Sequence, residues 1–243
     1  MTIVVGTLAV LVAAFVKGAI AFGFPTIATP LFALVVDVRT AVAILILPNL
    51  AMDVVQAVRR PGLLPVVRRH AVLYVTGIAG TFLGTYWLTR FSDRQAMLVL
   101  GLFVLGFVAL NASRFSLRVK PSWERYLAGP AGLVAGVMGG ITNAHGTPLV
   151  VYFYALGLDK GEFVRAISLA FIVYKAAQFV AVTQAGIMTL DLFWLSVLAT
   201  VVALAAFGLG LLVQDRMNQR VFNRVILGVL TALGGLLVFR AMR

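Results

Sequence analysis

Gly136-Val137-Met138-Gly139-Gly140-Ile141-Thr142-Asn143-Ala144-His145-Gly146-Thr147-Pro148 is the stretch on which the fold turns. It sits inside an apolar run, Tyr126–Leu158, of more than 30 residues. A continuous helix of that length would reach roughly 50 Å at about 1.5 Å per residue. A bilayer core of about 30 Å needs only about 20 residues. Glycines and a proline in the middle of such a run interrupt the helix. A second overlong run, Thr2–Val36, is broken in the same manner by Lys17-Gly18-Ala19-Ile20-Ala21-Phe22-Gly23-Phe24-Pro25-Thr26, then Thr29-Pro30. Six further apolar stretches each have the length of one span: Ala41–Val58, Ala71–Thr89, Gln95–Asn111, Phe163–Val182, Leu192–Val213 and Val221–Phe239.

Composition agrees with a chain that lives in lipid. Of 243 residues, 62% are apolar and 12% charged, with a mean hydropathy of +1.04. Ordinary soluble domains carry about 25% charged residues. This excludes a soluble enzyme, a disordered chain and a nucleic-acid-binding domain, despite a net charge of +12. The charge belongs to loops of a polytopic membrane protein. With no cysteine, disulfides, thiolate nucleophiles and Cys-ligated metals are excluded. No charge precedes Lys17 and no small-residue cleavage site follows a short apolar core, so no removable signal peptide is expected.

The two halves resemble each other. At an offset of 122, Ser92-Asp93-Arg94 falls on Gln214-Asp215-Arg216, Gly106 on Gly228, Gln56 on Gln178 and Asp53 on Lys175. A one-residue slip aligns Gly23 with Gly146 and Pro25 with Pro148. This order suggests an internal duplication, residues 1–115 and 122–243, within a single membrane domain. The distribution of Lys and Arg chooses the topology. If every stretch crosses once, the two sides carry nearly equal charge. If the two broken runs are hairpins that enter and leave on one side, 13 cationic residues fall on one face and 5 on the other. The expected fold is therefore all-α, with two inverted repeats, each a broken re-entrant hairpin plus three transmembrane helices. Arms of about 15 residues would bring the breaks together near the midplane, at about 1.5 Å per residue.

Irregular backbone at membrane depth is tolerated only where it is buried in protein or lines a polar cavity. Thr147-Pro148 reads as an N-cap followed by proline at the first helical position, and Phe24-Pro25-Thr26 starts a half-helix likewise. Helix N-termini offer free N–H groups and positive partial charge, so two facing breaks would form an anion site. Gly136, Gly139 and Gly140 serve either that site or close helix packing.

The glycine–proline patterns of Gly18–Leu31 and Gly136–Leu149, with the length and two-half layout, resemble the sulfite exporter TauE/SafE family of membrane permeases. The resemblance implies a multi-pass inner-membrane transporter of small anions, sulfur oxyanions or organosulfonates, commonly working in export.

Ionisable residues inside apolar stretches tend to face a cavity or a partner. Lys17 lies just before the first break and reads as a site-facing cation. Asp53 and Lys175 occupy equivalent places and read either as a structural ion pair or as a switch in which Asp53 takes a proton while Lys175 meets the anion. Gln56 and Gln178 follow three residues later on the same helical faces and can donate to an oxyanion. Asn49 follows Pro48, whose ring frees a carbonyl, and either lines the site or satisfies that kink. Asn143 and His145 lie in the second break, and a histidine there can also exchange protons.

The expected substrate site is thus Lys17, Gly23, Pro25, Thr26, Asn49, Gln56, Asn143, His145, Gly146, Thr147, Lys175 and Gln178, with Asp53 or His145 coupling protons. Trp87, Trp123 and Trp194 read as interfacial anchors, and Tyr152, Tyr154 and Tyr174 as aromatic packing. No nucleotide-binding loop, HExxH or GxSxG occurs. Neither an enzyme nor a cofactor or metal site is expected. The expected partners are a small anion, the lipid bilayer and protons, with no nucleic acid; a homodimer is compatible with the sequence. The expected function is secondary transport by alternating access, with a passive anion channel as the alternative.

Overall fold

The computed structural model describes residues 2–20, 22–59, 62–112, 119–213 and 219–242. These are helical almost throughout: α1 Thr2–Ile20, α2 Phe24–Phe32, α3 Val38–Val58, α4 Leu63–Arg69, α5 Ala71–Arg90, α6 Asp93–Ala112, α7 Pro121–Thr142, α8 Gly146–Ala155, α9 Lys160–Gln184, α10 Leu190–Val213 and α11 Gln219–Met242. Five of them, in α3, α5, α6, α9 and α10, are long and apolar enough to cross a membrane. The chain is a multi-pass membrane protein.

Both overlong runs fold back. The ring of Phe32, at the end of α2, packs over Gly6 near the start of α1. Val119 N–H, just before α7, donates to the carbonyl of Ala155 at the end of α8 at 2.8 Å. The arms are unequal, however. α1 and α7 have 19 and 22 residues, α2 and α8 only 9 and 10. The expectation of matched arms of about 15 residues is corrected, because the glycines before each break are helical packing positions and do not end the helix. Pro30 likewise lies within α2.

Three arginines tie helix ends together on one face. Arg39 donates to the carbonyls of Leu88, Thr89 and Phe91. Arg94 donates to Ala241 and Arg240 to Leu34. The starts of α3 and α6 and the ends of α2, α5 and α11 therefore share this face with the start of α1. On the opposite face Arg69 binds Glu124 at 2.8 and 2.9 Å and Glu162 at 2.5 Å, gathering the starts of α5, α7 and α9. The hydrogen bond to Glu124 raises the Arg69 guanidinium above its ordinary pKa. Described cationic residues concentrate on that second face: Arg59, Arg68, Arg69, Lys120, Arg125, Lys160 and Arg165. Arg60, Arg114, Arg118 and Arg216, which the charge reading also used, lie outside the described residues.

Close packing relies on glycine. A Cβ at Gly18 would strike the backbone of Phe207 and Gly210, so α1 lies directly on α10. A Cβ at Gly80, Gly84, Gly132, Gly136 or Gly140 would strike the facing backbone of α5 or α7. Lipid-exposed helices have little hydrophobic drive to associate with each other, and small residues let backbones gain van der Waals contact instead. The offset of 122 reappears here. Gly18 is the counterpart of Gly140, and Phe207 that of Thr85, so the α1–α10 and α7–α5 contacts use equivalent positions. The N-caps match as well: Asp37 accepts from Thr40 N–H to start α3, and Asp159 from Glu162 N–H to start α9.

Candidate functional site

Lys17, on α1, and Asn49 and Asp53, on α3, meet inside the bundle with all three side chains fully buried. Lys17 Nζ lies 2.6 Å from Asp53 Oδ1, donates to Asn49 Oδ1 at 2.8 Å and approaches the Asn49 carbonyl at 3.4 Å. Pro48 precedes Asn49 within α3. Proline leaves the Ile44 carbonyl without its helical donor, and Ser196 Oγ of α10 donates to it at 2.7 Å. Asn49 is not needed for that carbonyl and accepts from Lys17 instead. Its Nδ2 keeps no partner among the described residues.

Lys175, on α9, makes a separate set of bonds. Its Nζ donates to the Asn143 carbonyl and to Gln178 Oε1, each at 2.7 Å, and to Asn143 Oδ1. Of the two readings open for Asp53 and Lys175, a direct ion pair is not made among the described residues: Asp53 pairs with Lys17, while Lys175 is turned toward Asn143. The two lysines each have three acceptors. Three acceptors require three N–H donors, the complement of an ammonium group. With both lysines as ammonium groups and Asp53 as a carboxylate, the described cluster would carry one positive charge in excess. Asp53 and Lys175 remain close enough to interact electrostatically, as do Lys175 and His145.

The second break is built around these contacts. Asn143 closes α7 in the left-handed region, φ 67°, which asparagine tolerates better than most residues. Its Nδ2 donates to Thr29 Oγ1 at 3.3 Å. Gln178 Nε2 donates to the carbonyls of Gly139 and Gly140 at 2.9 and 3.4 Å, satisfying groups at the end of α7. The His145 ring occupies the space that a Cβ on Gly139 would need and lies 5.4 Å from the Tyr174 ring. Neither His145 nitrogen has a hydrogen-bond partner among the described residues. Gly146 is buried against Phe171, whose ring lies 5.5 Å from Lys17 Nζ. Phe171 thus joins the two lysine centres.

The remaining expected residues fall into three groups. Gln56 donates to Ser168 Oγ of α9 at 2.8 Å, an α3–α9 bond. Thr147 is the second residue of α8, not its cap: α8 starts at Gly146 with His145 as N-cap and no side-chain cap bond. Its Oγ1 is buried without a partner among the described residues. The helix thus starts two residues earlier than Thr147-Pro148 suggests. At the first break Gly23 is the left-handed N-cap of α2, φ 98°, with Pro25 in the first turn as expected. No hydrogen bond among the described residues joins Gly23, Pro25 or Thr26 to the lysines. The second break meets α2 at Thr29, in the middle of that helix. Thr29, Ser168, Ser196 and Phe171 were not singled out by the sequence, since lone Ser, Thr and Phe residues in apolar runs carry no periodic signal.

A cavity of about 730 Å³ lies elsewhere. It is an apolar groove between α6 and the α7–α8 hairpin, bordered by Phe103, Val134, Met138 and Val151, and of the expected site residues only Thr147 touches it. The polar cluster itself is closed to solvent.

Comparison with curated proteins and with solved structures gives no match. The family model described as sulfite exporter TauE/SafE matches residues 6–237, nearly the whole chain, including both breaks and both lysine centres. The chain belongs to the TauE/SafE sulfite exporter family of membrane transporters.

Proposed function

We propose that this protein is a secondary transporter that exports a small sulfur oxyanion or organosulfonate by alternating access. The observation that carries the reading is the burial of two lysines, Lys17 and Lys175, with a single carboxylate, Asp53, between α1, α3, α9 and the second break, a cluster with one positive charge in excess when all three are ionised. A buried charge without a counter-charge is costly, and an anion that reached the cluster would neutralise it. Lys175 and Lys17 would exchange neutral acceptors for anion oxygens, with Asn49 and Gln178 as amide donors and His145 beside them. Asp53 would take up a proton when an anion replaced it at Lys17. That exchange is the coupling step, with His145 as a second proton acceptor.

The two halves, residues 1–115 and 122–243, act in this reading as inverted repeats that rock against each other. Hairpins entering from opposite faces and the recurrent offset of 122 support it. The excess of Lys and Arg makes the second face cytoplasmic and the first face external in a cell inner membrane.

The test is flux of radiolabelled sulfite and of a short organosulfonate into proteoliposomes, with and without an imposed proton gradient. Saturable, gradient-sensitive flux is expected. Flux that stays linear with concentration and ignores the gradient would make the protein a passive anion channel. No saturable or linear flux of either anion would overturn the anion reading.

A further inference from the structure

We infer that the anion reaches the lysine cluster from the first face through a seam between α5 and α9, which begins in a small polar vestibule. This rests on the transport reading and adds the route. The vestibule holds about 330 Å³ and is bordered by Thr85, Tyr86 and Thr89 of α5 and by Ala181 and Gln184 of α9. It lies at the ends of these helices that share the face of Arg39, which caps Leu88 and Thr89. Its polar lining is hydroxyl and amide, with no carboxylate to repel an anion. At its lip the Arg90 guanidinium stands 5.1 Å from the Tyr86 ring centroid and supplies a positive field.

Below this vestibule polar groups continue toward the cluster at helical spacing. On α9, Gln184 and Ala181 border the vestibule, and Gln178 and Lys175 lie three and six residues before Ala181, nearer the cluster and turned progressively around the helix. On α5, Thr89, Thr85 and Thr81 follow at intervals of four. Thr85 and Ala181 form the floor and are almost fully buried. The Thr85 hydroxyl has no hydrogen-bond partner among the described residues, an unmet donor and acceptor just behind the floor. Gly140 connects the two sides. Its missing side chain lets it touch the Thr85 backbone, and its carbonyl accepts from Gln178. About one helical turn of α9 thus separates Ala181 from Gln178, and nearly two separate it from Lys175. Parting α5 from the tip of α7 would open the seam, and the Thr85 hydroxyl would then have an anion oxygen to bind. The occupant of the vestibule is a small oxyanion, matched by neutral donors and a cation at the lip.

The chain's lack of cysteine makes it a ready background for the test. Single variants A181C, Q184C and V201C are reconstituted in vesicles of known orientation. Val201 is an exposed α10 residue that faces lipid. Each is treated from either face with a membrane-impermeant, anionic methanethiosulfonate, which needs a hydrated thiolate. Q184C and A181C should react only from the first face, and the transported anion should slow A181C. Flux through labelled A181C should fall by about tenfold, while V201C stays unreactive and transports normally. Retained melting temperature and flux before labelling identify folded variants, and the exposed Q184C reads sidedness even where A181C folds poorly. Reaction of both cysteines only from the second face, or unchanged flux through fully labelled A181C, overturns the route. Absence of flux in the unsubstituted protein counts against transport, whereas sidedness of labelling judges the route in either case.

Discussion

Lys17 on α1 and Asp53 on α3 form an ion pair at 2.6 Å with no solvent exposure on either side chain. Burying two charges is repaid only when they stay paired and hydrogen-bonded, and removing one partner typically costs about 3–5 kcal/mol. Asn49 completes the arrangement by accepting from Lys17. The pair therefore holds the first broken hairpin to the first crossing helix, while Lys175, with neutral acceptors only, would carry the excess charge when ionised.

The pair predicts a non-additive double substitution. Asp53→Asn strands the Lys17 ammonium and Lys17→Met strands the carboxylate, so each should lower the melting temperature of the detergent-solubilised protein strongly. The double variant K17M/D53N should recover part of the loss, with a coupling of about 1–3 kcal/mol. Transport should not recover with it, because the anion site loses a cation and its proton acceptor. Undiminished flux through K17A/D53N would remove both residues from the site and leave the fold untouched.

Glycines give a sharper contrast. Gly139→Ala would drive a methyl into the His145 ring, and Gly77→Ala into the Tyr174 ring. Gly136→Ala would strike the Gly77 carbonyl and the Thr81 amide. Overpacking of this kind costs about 1–3 kcal/mol, more where backbone has to move. Gly208→Ala and Gly235→Ala meet nothing within 4 Å, and these should raise helix stability by about 0.5–1 kcal/mol. Thermal unfolding of the set ranks them, and equal effects across both groups would contradict the packing.

The broken hairpins, the crossings and the charge asymmetry were legible in the sequence because they depend on long-range averages: run length, Gly/Pro content and the placement of arginines. Lys17, Asp53 and Lys175 stood out for the same reason, as rare charges in apolar runs. Their pairing was not legible. Whether Asp53 meets Lys175 or Lys17 depends on the rotation of α1 against α3, which glycine contacts such as Gly18 on Phe207 decide, and periodicity does not report rotation between helices. The Asp37/Asp159 caps, also at the offset of 122, emerge only from the structure, through their bonds to Thr40 and Glu162.

His70 predicts a pH dependence of stability. It is buried beside Tyr74 and Phe153, with Glu124 Oε1 3.8 Å from Nδ1 and Arg69 and Glu162 nearby. Burial lowers its pKa below the ordinary 6.5, and the Glu124 charge opposes that only partly. The unfolded chain therefore binds a proton more readily than the folded one. The stability that the neutral ring contributes is present above pH 6.5 and is lost as pH falls through the folded value. The fall in melting temperature between pH 7 and pH 5 should be smaller in His70→Gln than in the unsubstituted protein, at about one proton's worth of linkage. Identical slopes would show that His70 does not titrate on unfolding.

Asn143 separates backbone strain from side-chain bonding at the second break. Its φ of 67° is costly for most residues, while its Oδ1 accepts from Lys175 and its Nδ2 donates to Thr29. Asn143→Gly removes both bonds and keeps the left-handed turn without strain. Asn143→Ala removes the same bonds and adds about 1–2 kcal/mol of strain. Gly should therefore be the more stable variant by that margin in thermal unfolding. Flux should fall alike in both, because Lys175 loses the acceptor that orients it and the tip of α7 loses its hold on α2. If Asn143→Gly transports normally while Asn143→Ala does not, the turn alone matters at this position, and the bond from Lys175 to the Asn143 side chain has no part in transport.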